Sequence, residues 1–348
     1  GRFCQDSGGT AAVYGRKNRN KINLQDWKGL ITVHRYLRAI GFSKLKRREE
    51  LRALINEVVE RTILSPEKMD QKGDGRKEAG YVSARDIAAD EDDFVYAELS
   101  LDFVHGAGIC VRGEFDEENR FLYEYYFPYL RGNHISSNED ITIERQAEKE
   151  SYAGVCDDIK VGVSIIFYLQ YMIPYKRLKA LKRLPVQGTS LILSALSVDG
   201  TIMMPIIKNE YEKQRIKKVA NERNQLLAQA RMGDEDAIES LTLEDMDTYT
   251  TISRRIHKED VFSLVDTYFM PYGVECDQYS ILGEITECHT DINRITDEEI
   301  IFMTLECNEV VLEVCINRYD LYGEPAVGRR FKGVVWLQGC IEFPQQNF

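Results

Sequence analysis

The sequence predicts an α+β protein: an N-terminal helix plus an antiparallel β-sheet, a helical connector, and a small OB-like β-barrel at the C-terminal end. Three observations carry that reading. Apolar and polar residues alternate with period two through residues 94–175, as half-buried strands require. Residues 208–273 switch to charge-laced helical periodicity, and four short apolar runs separated by turns follow residue 279. The expected layout is an α+β domain over 33–207, a connector over 208–273 and a barrel over 274–348. A chain of 348 residues, 43% hydrophobic and 29% charged, has enough apolar material for two cores.

Residues 1–32 stand apart. They are polar, basic and aperiodic, and are expected to be disordered. A basic arm built on "GRKNRNK" is one reading. A translated leader explains more, because Val33 can be encoded by GTG, an alternative start codon. Trp27-Lys28-Gly29 must then be encoded by TGG-AAR-GGN, a purine-rich run like a ribosome-binding sequence.

Helical elements come next. Residues 34–40 form a short turn of helix stopped at Gly41, a residue that tolerates left-handed geometry. Ser43 is expected to cap a second helix, along which Leu51, Leu54, Ile55, Val58 and Val59 recur on one face up to Pro66. Its mixed Lys/Arg and Glu residues read as a solvated face.

In the sheet, Val95, Ala97, Leu99, Leu101 and Phe103 share a core face. So do Ile109, Val111 and Phe115, then Phe121, Tyr123, Tyr125 and Phe127, and finally Val161, Val163, Ile165, Phe167 and Leu169. "DEEN" at 116–119 reads as a hairpin turn, and Gly106 in "HGAGIC" as a bend. Residues 188–206 read as a further hairpin turning at Asp199-Gly200. Gly233 ends a long helix, Asp234 starts a short one and Thr242 another, and helical pattern runs on to Phe269. The barrel runs are "YSILGEITECH", "IIFMTLEC", "VVLEVCIN" and "FKGVVWLQGCIEF", with Gly333 and Gly339 suited to sharp bends.

Charge is distributed unevenly: +4 over residues 1–31, zero over 32–231 and −16 over 232–348. The acidic final third repels phosphate backbones, which argues against nucleic acid despite an OB-like barrel with Phe302, Phe331 and Trp336 as stacking candidates. The longest apolar run, "VGVSIIFYLQYMIP", falls short of the ~20 residues that cross a bilayer. No secretory signal pattern opens the chain, so a cytoplasmic location without membrane attachment is expected. Eight scattered cysteines without CxxC or Cys–His spacing predict reduced, mostly buried thiols and no metal site. No phosphate loop, nucleophile elbow or HExxH motif occurs, and no cofactor is expected.

The polar face of the first sheet is the candidate ligand site. Continued alternation brings Tyr96, Glu98, Arg112, Glu124, Tyr126 and Tyr168 together, with Glu114 and Gln170 beside them. An arginine among carboxylates and tyrosines on a rigid sheet can bind a polar ligand or move protons. A solvated face with cross-strand Arg–Glu pairs is the plainer alternative.

The stretches "HRYLRAIGFS" (34–43), "SLTLEDMDTY" (240–249), "DTYFMPYGVECDQYSILGEI" (266–285) and "VGRRFKGVVWLQG" (327–339) give the chain a family likeness. It resembles a clostridial gut-bacterial family classed as a domain of unknown function, type 3881, over residues 33 to the C-terminus. Members begin with Met-His where this chain has Val33-His34, which agrees with the leader reading. The resemblance carries over no activity and no catalytic residues. Three functions therefore stand as expectations: a protein-binding adaptor, a ligand-binding protein or enzyme using the polar sheet face, and an RNA or single-strand binder. The first is favoured, with another protein as the partner.

Overall fold

A computed structural model describes residues 32–64, 83–89, 95–116, 120–145, 152–158, 164–184, 188–206, 210–256 and 265–344. The expected leader lies outside these residues except for Thr32, as do the DEEN turn's last three residues, Val161 and Val163.

Strands dominate. The first sheet is antiparallel in the order β1 (Ser83–Ala89), β2 (Val95–Val104), β3 (Ala107–Phe115), β4 (Phe121–Leu130). Gly106, at φ +76°, makes the expected tight bend between β2 and β3. On one face Ala97, Leu99, Leu101, Ile109, Val111 and Tyr126 pack under a 3-10 turn (Arg35–Ile40) and helix α1 (Arg48–Leu64). Leu51, Leu54, Ile55, Val58 and Val59 are the buried stripe of α1, as their spacing predicts. Gly41 ends the 3-10 turn at φ +101°, with the Asn293 side chain where its Cβ would sit. Ser43 does not cap α1. Its hydroxyl donates to Glu298 Oε1 at 2.6 Å and its amide to Oε2 at 3.1 Å, and α1 begins only at Arg48, beyond the reach of a cap at 43.

The second sheet holds ten strands and closes on itself. β8 (Ser190–Met203), β10 (Gln278–Ile292), β11 (Glu299–Cys307), β12 (Val310–Asn317) and β14 (Arg330–Glu342) form a five-stranded barrel in the cyclic order β8-β12-β11-β10-β14. The four expected runs are four of these strands. The fifth, β8, comes from the half of the chain read as the first domain. It is one continuous strand and not a hairpin at Asp199-Gly200, for it pairs with β14 from Ser190 to Met203, with one irregularity at Val198-Asp199, and with β12 in parallel. Gly200 pairs with Gly333 on one side and Leu321 on the other, and Phe331 lies against Gly200 where a Cβ would be.

Alternation along the barrel feeds two cores. Ile301, Met303, Leu305, Val310, Leu312, Val314, Ile316, Phe331, Val335 and Leu337 fill the interior. Ile300, Phe302, Cys315 and Trp336 point outward and are buried beneath the N-terminal elements. The first sheet and the barrel thus share a core across the boundary expected at residue 207. β5 (Ile141–Arg145), β6 (Tyr152–Cys156) and β7 (Ile165–Leu169) extend the barrel sheet through β14 and do not join the first sheet. The Phe167 ring lies 2.3 Å from where a Cβ on Gly339 would be, so that glycine permits a close approach.

Helix α2 (Ile173–Ala180) follows β7. Two long helices, α3 (Glu210–Arg231) and α4 (Glu235–Ile256), form a hairpin joined by Arg223 to Glu244 at 3.3 Å and to Asp245 at 2.7 Å. Asp234 Oδ1 caps α4 by accepting from the Asp236 and Ala237 amides. No new helix starts at Thr242; its hydroxyl bonds back to the Ile238 carbonyl, so the chain continues as one helix. The helical pattern expected up to Phe269 gives way to strand β9 (Tyr268–Pro271), paired with β10 so that Phe269 enters the barrel core. No helix among the described residues is long and apolar enough to cross a membrane.

Candidate functional site

Arg112 is fully buried in β3. Its Nε donates to Glu98 Oε1 at 2.5 Å, and one terminal nitrogen donates to the Tyr125 hydroxyl and to Tyr168 Oη at 2.9 Å. The other donates to the carbonyls of Leu169, at 3.1 Å, and Gln170. The Phe127 ring lies 4.6 Å beneath the guanidinium. All faces of the cation are engaged. Burial works against its charge, but the Glu98 carboxylate and the surrounding tyrosines outweigh burial and keep it protonated. Burial likewise pushes the Glu98 carboxyl up, against the pull of Arg112 and of the Met172 and Ile173 amides at the start of α2. This cluster ties the first sheet to β7 and α2.

Of the six residues expected on this face, Arg112, Glu98 and Tyr168 come together, and Tyr96 is buried near them with Lys176 Nζ 4.1 Å from its ring centre. Glu124 and Tyr126 do not join. The β3–β4 register slips at Glu124: Arg112 faces Tyr125, while Gly113 faces Tyr123. This bulge leaves Glu124 exposed and turns every later side chain over. Tyr125 therefore takes the place expected for Tyr126. Tyr126 enters the opposite core, where its hydroxyl accepts from the His34 amide at 2.8 Å and donates to the Thr32 carbonyl. Period-two counting contained no signal for the slip.

An open cavity of about 360 Å³ lies elsewhere, at the barrel rim. Its floor is aromatic: the Trp336 ring stacks on Tyr36 at 5.4 Å and meets the tilted His34 ring at 4.9 Å. His34 is positioned by capping the 3-10 turn, its Nδ1 accepting from the Tyr36 amide. The opposite wall is the β9–β10 connection, which supplies Val274, Glu275, Cys276 and Asp277. Trp336 Nε1 donates to Asp277 Oδ2 at 2.8 Å, and the Leu337 amide donates to the Asp277 carbonyl, so this loop is fixed to β14. Burial raises the Asp277 carboxyl above its ordinary value, and the bond from Trp336 opposes that rise. Tyr36 Oη is buried with no hydrogen-bond partner among the described residues; burial pushes its pKa up to about 12, so the phenol stays neutral.

Residues 37–339 match a protein family described as "Domain of unknown function, E. rectale Gene description (DUF3881)". The chain belongs to this family. No curated protein and no solved structure matches it. The family match agrees with the resemblance read from the sequence. Three of the stretches that carried the resemblance meet at the cavity: His34 and Tyr36 from the first, Glu275 to Asp277 from the third, and Trp336 from the last.

Other polar clusters are absorbed by packing. Arg131 holds buried Asp102 through 2.7 and 3.1 Å bonds, and His134 Nδ1 lies 2.6 Å from Glu313 Oε1. Cys110, Cys156, Cys307 and Cys315 are buried, and burial raises the Cys156 thiol to about 11. Cys276 is exposed. Among the described residues no group of three or more His, Cys, Asp or Glu is placed to hold a metal ion.

Proposed function

We propose that this protein is a binding module, an adaptor that engages another protein through the barrel rim beside Trp336. The observation that carries the reading is the pairing of an open aromatic cavity with a carboxylate-bearing loop pinned to the barrel. Rings that are already stacked bind with little loss of side-chain freedom. The Arg112 cluster is closed to a ligand: every donor of the guanidinium is bonded inside the fold, and the two oxygens without a partner among the described residues, Glu98 Oε2 and Tyr96 Oη, are sealed from solvent.

We read the barrel as OB-like. With β8 taken as the last strand, its cyclic order β10-β11-β12-β8-β14 is that of an OB barrel with one parallel contact, here between β12 and β8. In such barrels the outer face of the second and third strands and the adjoining loops bind ligands. Here the corresponding residues, Ile300, Phe302 and Cys315, are covered by the chain's own N-terminal elements. Phe331 lies inside the barrel. Coverage of that face and the −16 charge both weigh against the RNA reading. A second reading, a small-ligand protein, draws support from cavity size, which falls in the ~300–1,000 Å³ range of ligand pockets.

The test is co-purification from the native host with a C-terminal tag, comparing the wild type with Trp336→Phe. A near-stoichiometric protein partner that the variant loses supports the adaptor. A bound small molecule with no protein partner turns the assignment to the ligand reading.

A further inference from the structure

Resting on the reading of the rim cavity as the binding site, we infer that its occupant is cationic: the ammonium or guanidinium tip of a lysine or arginine side chain on the partner. Two features of the cavity converge on that chemistry. Its lining is aromatic, and the negative π-faces of such rings attract cations, as the Arg35 guanidinium over the Tyr36 ring shows. Glu275 and Asp277 put two carboxylates on the facing wall, where Gln278 Nε2 donates to Glu275 Oε2 and Trp336 Nε1 to Asp277 Oδ2.

An anion would face both carboxylates, and a neutral apolar group would leave them without a counter-charge from the occupant. Arg35 is the nearby counter-charge, with its guanidinium 5.8 Å from the Tyr36 ring centre. It is exposed, and it offsets one of the two negative charges, so the wall keeps a net negative charge of one. A partner's side chain fits better than a free metal ion, because an aromatic lining beside two carboxylates matches a large, weakly hydrated cation. The surrounding acidic final third attracts such a segment from a distance.

Cys276, exposed on the cavity wall, is a built-in reporter. The full chain is treated with methanethiosulfonates bearing a trimethylammonium or a sulfonate, and modification of the Cys276 peptide is timed by mass spectrometry. Rates are normalised to those with glutathione. The expected result is a preference of about tenfold for the cationic reagent, equivalent to ~1.4 kcal/mol of local attraction. Glu275→Gln, a surface change that leaves the fold intact, should remove most of that preference. Tetramethylammonium should protect Cys276, whereas neutral 3,3-dimethyl-1-butanol and equal sodium chloride should not. Equal normalised rates, or protection by sodium chloride alone, would overturn the inference.

The partner experiment keeps the two readings separable. Cation selectivity at Cys276 without a co-purifying protein leaves the cationic site standing and makes a free amine its source, so the adaptor fails. A protein partner retained by Glu275→Gln and not displaced by tetramethylammonium keeps the adaptor and sinks the cationic site.

Discussion

The Arg112 cluster and the Trp336 cavity are built from the same materials, aromatic rings beside charged side chains, yet they are opposites. At Arg112 every donor of the cation has a partner within the fold, and two sheets and a helix close over it. At Trp336 the rings are packed from below, while the carboxylates of exposed Glu275 and half-buried Asp277 stand on the open side. The difference teaches that a charged residue among tyrosines marks a site only when it stays within reach of solvent, since the Arg112 cluster also has oxygens without a partner among the described residues, Glu98 Oε2 and Tyr96 Oη, but seals them. Sealed, the same chemistry is a fastening.

The contrast is broken most forcefully at Arg112. Arg112→Ala strands Glu98 in the interior and should lower unfolding free energy by about 3–5 kcal/mol, read as a fall in urea midpoint. Combining Arg112→Met with Glu98→Leu removes both charges and should recover most of that loss. Recovery would mark the pair as replaceable fastening; no recovery would give it a further role.

A milder change sharpens the comparison. Tyr168→Phe deletes the acceptor of the 2.9 Å bond from Arg112 and the 2.7 Å partner of Tyr125, and should cost about 1–2 kcal/mol by the same measurement. Tyr36→Phe should act with the opposite sign. Its buried hydroxyl has no partner among the described residues, so its removal should leave stability unchanged or raise it by up to about 1 kcal/mol. A substantial loss there would mean the phenol is already satisfied.

The smallest effect is a pH dependence at Asp277. Burial raises its folded pKa, so the folded chain takes up this proton more readily than the unfolded chain. Its stabilising contribution is therefore full below the ordinary carboxylate value and is lost as pH rises through the folded value. Asp277→Asn keeps an acceptor for the Trp336 indole without the charge. It should gain a little stability at about pH 7, and none at about pH 3. A gain independent of pH would assign the effect to packing.

Local patterning made much of the fold legible. The buried stripe of α1, the stop at Gly41, the bend at Gly106 and four barrel strands all follow from periodicity and from glycine's conformational freedom, which neighbouring residues alone dictate. Of the candidate site, the Arg112–Glu98–Tyr168 grouping was legible because directly paired residues share a face. The exchange of Tyr126 for Tyr125 was not, since a one-residue bulge depends on what the partner strand tolerates. The rim cavity was less visible still: its rings and acids are far apart in sequence and share no motif.

The sequence by itself determined the elements, their buried faces and the acidity of the final third, because those are properties of residues and of short-range geometry. Tertiary structure alone decided that β8 closes the barrel, that the outer face of β11 and β12 is covered, and which charged residue is sealed and which is left open. Those outcomes rest on pairing between strands about a hundred residues apart, such as Val314 beside Ala195. Such pairing is selected by the whole core at once, and no local window of sequence contains it.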